Sequence, residues 1–164
     1  MRIRHARPED LDALTALEAV CFPPAEAADR ETIGRRLAAW PGHFWLLEEN
    51  GRVISMINGL ATDEPHLTDA MYEDASLRRE HGAWQMIFGV DTVPARRGQG
   101  CAGRLMRRVI ADARDQGRRG LVLTCKDHLV GWYAGFGFAD EGISGSQHGG
   151  VVWHEMRLTF PEND

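Results

Sequence analysis

The chain has 164 residues, of which 43% are apolar and 26% charged, and carries a net charge of −5. That length suits one globular domain, and no apolar run nears the roughly 20 residues of a membrane span. The acidic balance disfavours nucleic acid as a partner. Cys21, Cys101 and Cys125 are scattered without C-x-x-C spacing, which excludes a disulfide framework and a zinc site. The opening residues carry no signal-peptide core, so the expected location is the cytoplasm, and residues 1–164 read as a single domain without repeats or linkers.

A short strand near Ile3 precedes PEDLDALTALEAVCF, where Leu11, Leu14, Leu17, Val20 and Cys21 recur at helical spacing behind Pro8. Phe22-Pro23-Pro24 ends that helix, because proline lacks a donor and disfavours helix before itself; a second helix runs through Ile33 and Leu37. HFWLLEENGRVISMINGLA reads as a hairpin about Asn50-Gly51. Residues 62–82 are polar, irregular and long for a connection, so they form a functional loop or hold short helical turns. A strand over residues 84–93 leads into RGQGCAG. Behind it Leu105, Met106, Val109, Ile110 and Ala113 mark an apolar helical face, with Arg104, Arg107, Arg108 and Arg114 opposite and Gly117 closing the helix. LVLTC is a buried strand and DHLVGWYAGF a short helix. Val151-Val152-Trp153 and Met156-Arg157-Leu158 read as a closing strand pair.

Gly98, Gly100 and Gly103 spell G-x-G-x-x-G, with a strand before, a helix and strand after, and Asp127 where a ribose-binding acid would stand. Three features oppose a dinucleotide fold. The unit starts past mid-chain and leaves no second half; Pro94, Ala95, Arg96 and Arg97 separate strand from glycines; and the upstream hairpin implies antiparallel strands. Both readings share their physics: glycines let the backbone approach a phosphate, and amides at a helix N-terminus point at it.

Read as V-P-x-x-R-x-x-G-x-A, residues 93–102 resemble the coenzyme A loop of the GNAT superfamily of N-acetyltransferases. LVLTCKDHLVGWYAGFGF closely resembles the matching segment of the arylalkylamine (serotonin-type) members, including its aromatic-Tyr-x-x-Phe-Gly-Phe ending. The tail through a shared Glu-Met continues the similarity, with SGSQHGG where the substrate-lining strand of that family begins. Weaker similarity covers the acidic helix ending in Cys-Phe, NGRVISMINGL, and the following Asp-Glu-x-x-Leu-Thr. The resemblance implies an α/β (α+β) fold: a mixed, mostly antiparallel sheet splayed between its fourth and fifth strands, with helices on both faces. It implies acetyl-CoA as cosubstrate, its pantetheine along Val90, Asp91 and Thr92 and its pyrophosphate on the amides of Gly98, Gln99, Gly100, Cys101, Ala102 and Gly103. Arg97 would add a charge-assisted contact.

Acetyl transfer to an amine whose ammonium has a pKa around 10.4 requires a proton to leave, and the departing thiolate needs one. The resemblance assigns the general acid, also in contact with the cofactor, to Tyr133. The vertebrate-type enzymes carry a His-x-His pair that here falls on Met86 and Phe88. Other groups must take the proton: His148 first, between glycines and with an imidazole's ordinary pKa near 6.5, then His81, Asp91 or Glu26. Phe22, Pro24 and Glu26 form one expected wall of the acceptor pocket, and Thr124, Val151 and Trp153 another. The seven histidines lack a ligand motif, so no metal is expected, and Cys125 reads as buried and inert.

These residues point to direct transfer of acetyl to a small primary amine within a ternary complex, by a monomer or homodimer. Polyamine, aminoglycoside or peptide acceptors stay open, as does a non-catalytic coenzyme A-binding regulatory domain.

Overall fold

A computed structural model of the chain describes residues 1–146 and 148–162. Gln147, within the SGSQHGG segment, lies outside the described residues, as do positions 163–164 of the expected single domain. The strands are β1 (Arg2–His5), β2 (Phe44–Glu49), β3 (Arg52–Thr62), β4 (Trp84–Thr92), β5 (Gly120–Cys125), β6 (Ala139–Ile143) and β7 (His154–Thr159). The helices are α1 (Leu11–Cys21), α2 (Arg30–Ala39), α3 (Asp69–Glu73), α4 (Cys101–Asp115) and α5 (Val130–Ala134). The sheet order is β1-β2-β3-β4-β5-β7-β6. The β1·β2, β2·β3, β5·β7 and β6·β7 pairs are antiparallel and β4·β5 is parallel. That mixture removes the dinucleotide reading, which needs a parallel sheet.

The chain divides into two compact units. The first comprises Met1–Gly59 with Gly89–Val109, the second Leu60–Phe88 with Ile110–Asp164. In the first, Asp10 accepts the Arg7 amide at 2.7 Å and opens the way into α1, and Leu14 and Leu17 bury its inner face. Phe22, extended ahead of Pro23, stops that helix. Asp29 caps α2 by accepting the Thr32 amide at 2.8 Å, and Ile33 and Leu37 bury there. Trp40, Phe44, Trp45, Leu46, Leu47, Met56 and Ile57 complete the core, each aliphatic side chain contributing about 2 kcal/mol on burial. Asn50 (φ 52°) and Gly51 (φ 78°) make the expected left-handed turn of the hairpin.

In the second unit Met86, Leu121, Val122, Leu123 and Met156 are all but fully buried, giving β5 the unbroken apolar run read from LVLTC. The β4·β5 register runs from Trp84↔Gly120 to Ile87↔Leu123 and stops there, although both strands continue. Residues 62–82 hold α3 and a 3-10 turn at Ala75–Leu77, the second of the two expectations for that segment. The closing strand pair needs correction. It is β6 with β7, whereas Val151, Val152 and Trp153 follow a 3-10 turn at His148–Gly150 in which Gly149 and Gly150 hold φ of 66° and 69°. A run of three bulky residues mimics a strand, but those left-handed glycines turn the backbone out of it.

Candidate active site

The glycine loop is built from a proline turn and a helix start. Pro94–Arg96 form a 3-10 turn, Gly98 and Gly100 adopt φ of 75° and 82°, and α4 begins at Cys101. The Arg104 amide donates to Gly100 O at 3.0 Å, so the amides of Cys101, Ala102 and Gly103 precede the helical ladder and lack a helical carbonyl. A Cβ on Gly98 or Gly100 would meet nothing within 4 Å. These glycines are therefore present for left-handed backbone and open approach rather than for packing. Arg96 is committed to Glu49 and, at 2.8 Å, to Gln99 Oε1, while the exposed Arg97 donates through Nε to Thr92 O at 3.2 Å. Gln99 spends its amide group on Arg96 and Ala95 O, and Cys101 is buried, so each offers an outside ligand its backbone N–H alone. A concave run of amides with one guanidinium fits a pyrophosphate.

Along β4 the three expected edge residues separate. Asp91 O accepts from Ser55 Oγ at 2.7 Å and the Val93 amide donates to Ile54 O, so both turn their backbone toward β3. By strand alternation Val90 and Thr92 turn theirs to the opposite edge. The Asp91 carbonyl serves β3 and its side chain is wholly buried. Burial, with the Glu18 carboxyl as neighbour, holds the Asp91 carboxyl well above the usual carboxylate range.

Phe22 is half-buried and Pro24 exposed at the end of α1, in a turn where the amides of Glu26 and Ala27 donate to Pro23 O at 2.9 Å. Glu26 is buried rather than solvated. Glu18 holds this turn from within, its Oε2 accepting the Ala28 amide at 2.9 Å.

In the second unit an aromatic wall assembles around His148. Tyr72 of α3 lies flat on the His148 ring, with centroids 5.1 Å apart and planes at 4°, and tilts against Phe88 at 4.7 Å. Trp153 lies 6.2 Å from His148 and donates its Nε1 proton to His148 O at 2.7 Å. The Tyr72 and Thr124 hydroxyls are 3.2 Å apart. Ser146 ties the segment down, its hydroxyl donating to Asp69 and accepting the His148 amide at 3.3 Å. His148, Thr124 and Trp153 therefore come together around Tyr72, with Val151 half-buried beside them in sequence. His81 is exposed in a depression with Asp63, Glu80 and Arg118, away from this wall. Tyr133 is 7% exposed and packs edge-on to Trp132 at 4.9 Å and Phe138 at 6.0 Å. Burial pushes the Cys125 thiol up to about 11, which keeps it unreactive at neutral pH.

Sequence reasoning missed Tyr72, Phe88 as a wall residue, and Glu18. Tyr72 is one of two tyrosines and stands in the irregular segment 62–82, a signal that was available. Glu18 follows Leu14 by four positions and Leu17 by one, so its place on the buried side of α1 was legible from helical spacing.

The acetyltransferase (GNAT) family pattern matches residues 11–138. N-acetyltransferase family 8 member 2 of Rattus norvegicus is 31% identical over 104 residues, which are 62% of this chain and 40% of that protein. The chain thus spans about two-fifths of the length of the curated relatives it matches, and these are family 8 rather than arylalkylamine enzymes. A GNAT-like decarboxylase, GphF, solved with isobutyryl-CoA, superposes with a TM-score of 0.84 at 26% identity, covering 97% of this chain and 99% of that one. A GNAT family acetyltransferase from Brucella melitensis, solved with acetyl-CoA, superposes with a TM-score of 0.63 at 22% identity, covering 99% and 90%. Among the described residues no helix is long and apolar enough to cross a membrane. The parallel β4·β5 pair that stops short, the glycine loop opening α4 and the family pattern over most of the length agree, and the chain belongs to the GNAT family of acetyltransferases.

Proposed function

We propose that the protein transfers the acetyl group of acetyl-CoA to a small primary amine bearing an aromatic or similarly flat group, by direct attack in a ternary complex. The observation that carries this reading is the Tyr72–His148–Trp153 wall with the Thr124 hydroxyl at its edge, a flat apolar surface with polar tips suited to an arylalkylamine. Amides of residues 98–103 and Arg97 hold the pyrophosphate, and Val90 and Thr92 the pantetheine. The amine nitrogen forms the C–N bond as the C–S bond breaks. Tyr133, protonated at neutral pH with a phenol's ordinary pKa near 10, gives its proton to a thiolate whose acid has a pKa near 8.5. His148 orients the acceptor and is the first candidate to take the amine proton. Free-thiol release from acetyl-CoA across arylalkylamines, polyamines, aminoglycosides and peptides tests this. Turnover confined to arylalkylamines supports it, and silence across the panel rejects it.

One observation favours a second reading. The positions of the His pair are Met86 and Phe88, and GphF, similar over nearly the whole chain, is a decarboxylase. Loss of CO2 from a β-carboxyacyl-coenzyme A needs hydrogen-bond donors for the enolate oxygen and a proton for its carbon, but no base for an amine. The hydroxyls of Tyr72 and Thr124 are donors of that kind. Carbon dioxide released from malonyl-CoA without any amine would favour this reading over acetyl transfer.

A further inference from the structure

Glu155 stands on β7 directly across from Thr124 of β5. Opposite residues of an antiparallel pair project from the same face, and here both reach the segment that carries Tyr72. The Thr124 hydroxyl is 3.2 Å from that of Tyr72. Glu155 Oε1 accepts the Leu67 amide at 3.1 Å, and its Oε2 lies 2.8 Å from His66 Nδ1. Two facing side chains of the sheet therefore hold the two ends of residues 66–72. Within that stretch Leu67 and Met71 bury their side chains, so the segment is sealed as well as tethered.

A carboxylate is a costly side chain to bury, and Glu155 is only 8% exposed. Its contacts show what it does there. The Leu67 amide precedes α3, whose N-cap is Thr68, so it lies outside the helical ladder, and the carboxylate lets it be buried with a partner. A second tie to α3, the Ser146 hydroxyl on Asp69, is exposed to solvent. With α3 only five residues long, the height at which Leu67 is held sets where Tyr72 falls. The Tyr72 ring is the one that lies flat on His148 and tilts against Phe88. Arg157, two residues along β7, steadies the start of the segment by donating to Pro65 O. The His66 side chain is 67% exposed, so its pairing with Glu155 is screened by water and contributes little.

We propose that Glu155 is a positioning residue for the acceptor: by holding the Leu67 amide it fixes α3 and the plane of Tyr72, and so sets the preference for a flat amine. The inference rests on the arylalkylamine reading and names the residue that sets its aromatic wall. Each carboxylate oxygen already has a partner, so Glu155 acts through Tyr72, and by reach rather than by charge.

The test uses the full chain and thiol release from acetyl-CoA with an arylalkylamine and an aliphatic polyamine. Glu155→Gln keeps the length and offers its Oε1 to the Leu67 amide, while its NH2 group donates to His66 Nδ1 once that imidazole changes tautomer. It is expected to hold the arylalkylamine KM within about twofold. Glu155→Asp keeps the charge but stops one methylene short, and Glu155→Ala removes the hold. Each is expected to raise that KM about five- to tenfold, with kcat and the acetyl-CoA Kd within about twofold and the polyamine KM unmoved. Because Glu155 acts through Tyr72, the double variant with Tyr72→Ala and Glu155→Ala is expected to raise the KM no further than Tyr72→Ala alone. A role in stability alone would lower the melting temperature and affect both amines alike. The proposal is overturned if Glu155→Gln is as impaired as Glu155→Ala, if the polyamine KM rises in step, or if the two substitutions add. Should Glu155→Ala fail to fold, the contrast between the Asp and Gln variants decides. If wild type turns over no arylalkylamine, or Tyr72→Ala leaves its KM unchanged, the arylalkylamine reading fails and the positioning role with it. A KM that rises in Tyr72→Ala but in neither Glu155→Asp nor Glu155→Ala refutes the positioning role alone.

Discussion

Tyr72 lies flat against His148, ring centroids 5.1 Å apart and planes inclined by only 4°, while its hydroxyl stands 3.2 Å from that of Thr124. The stack spans a short helix and a glycine-flanked turn far apart in sequence, so it can fix the face that His148 presents. Tyr72→Phe keeps the ring and loses only the hydroxyl contact, and should change the KM of an arylalkylamine less than about threefold. Tyr72→Ala removes the wall and should raise that KM about tenfold, or about 1.4 kcal/mol, in line with an aromatic pair. With an aliphatic polyamine the Ala variant should show no such rise. Steady-state thiol release on both amines checks the contrast.

The turn into α4 makes a prediction about coenzyme affinity alone. Gly100 holds φ of 82° with nothing near its Cβ position, so Gly100→Ala meets no clash and must either sustain a left-handed alanine or move the loop. A left-handed alanine costs about 1–2 kcal/mol. The acetyl-CoA Kd should rise about tenfold, the free energy of moving the amides out of register. Titration calorimetry with acetyl-CoA measures it, and an unchanged Kd would remove Gly100 from the pyrophosphate cradle.

What was legible in the sequence divides along physical lines. Periodicity and punctuation are local, so α1 behind Pro8, the Asn50-Gly51 hairpin and the glycine opening of α4 could all be read residue by residue. Val151, Val152 and Trp153 were misread because β-propensity is equally local, while the left-handed Gly149 and Gly150 that override it were not visible as such. The Tyr72–His148 stack and the Asp91–Glu18 pair are long-range. Each joins elements whose approach depends on the whole sheet, and no spacing rule brings them together. The resemblance proposed roles for the loop and Tyr133 that periodicity alone does not carry.

Stability in acid should turn on Asp10. Its carboxylate takes both terminal nitrogens of Arg4 at 2.8 Å, Arg4 Nε reaches Glu48 at 2.6 Å, and Asp10 also accepts the Arg7 amide. The Arg4 guanidinium, followed by that amide bond, holds the Asp10 carboxyl below its usual range against the opposing effect of burial. A folded value below the unfolded value of about 3.9 means the contribution is fully present above about pH 5. It is lost as pH falls through the folded value. Asp10→Asn should cost about 1 kcal/mol near neutral pH, after discounting the ion pair for solvent screening, and the difference from wild type should vanish in strong acid. Urea unfolding at pH 7 and at successively lower pH checks it; a difference that does not shrink as pH falls would assign the effect to packing.

Tyr133→Phe tests the general acid because it keeps the ring and removes the hydroxyl. Trp132 meets it edge-on at 4.9 Å and Phe138 at 6.0 Å, contacts that phenylalanine keeps, so the fold and the melting temperature should survive. The thiolate leaving group would then depart unprotonated or wait for solvent, which lowers kcat by about a hundredfold if proton donation is worth its usual share. Binding of acetyl-CoA precedes that proton transfer, and its Kd should stay within about threefold. The split between the two readouts carries the argument. Loss of affinity with an unchanged rate would make Tyr133 a wall of the coenzyme site, and a regulatory domain would show neither effect. Acceptors whose acetyl donor leaves as a more acidic thiol offer a second check: with an acetyl thioester of a thiol more acidic than coenzyme A, the Phe variant should recover most of the lost rate, because a weaker base needs less help to leave.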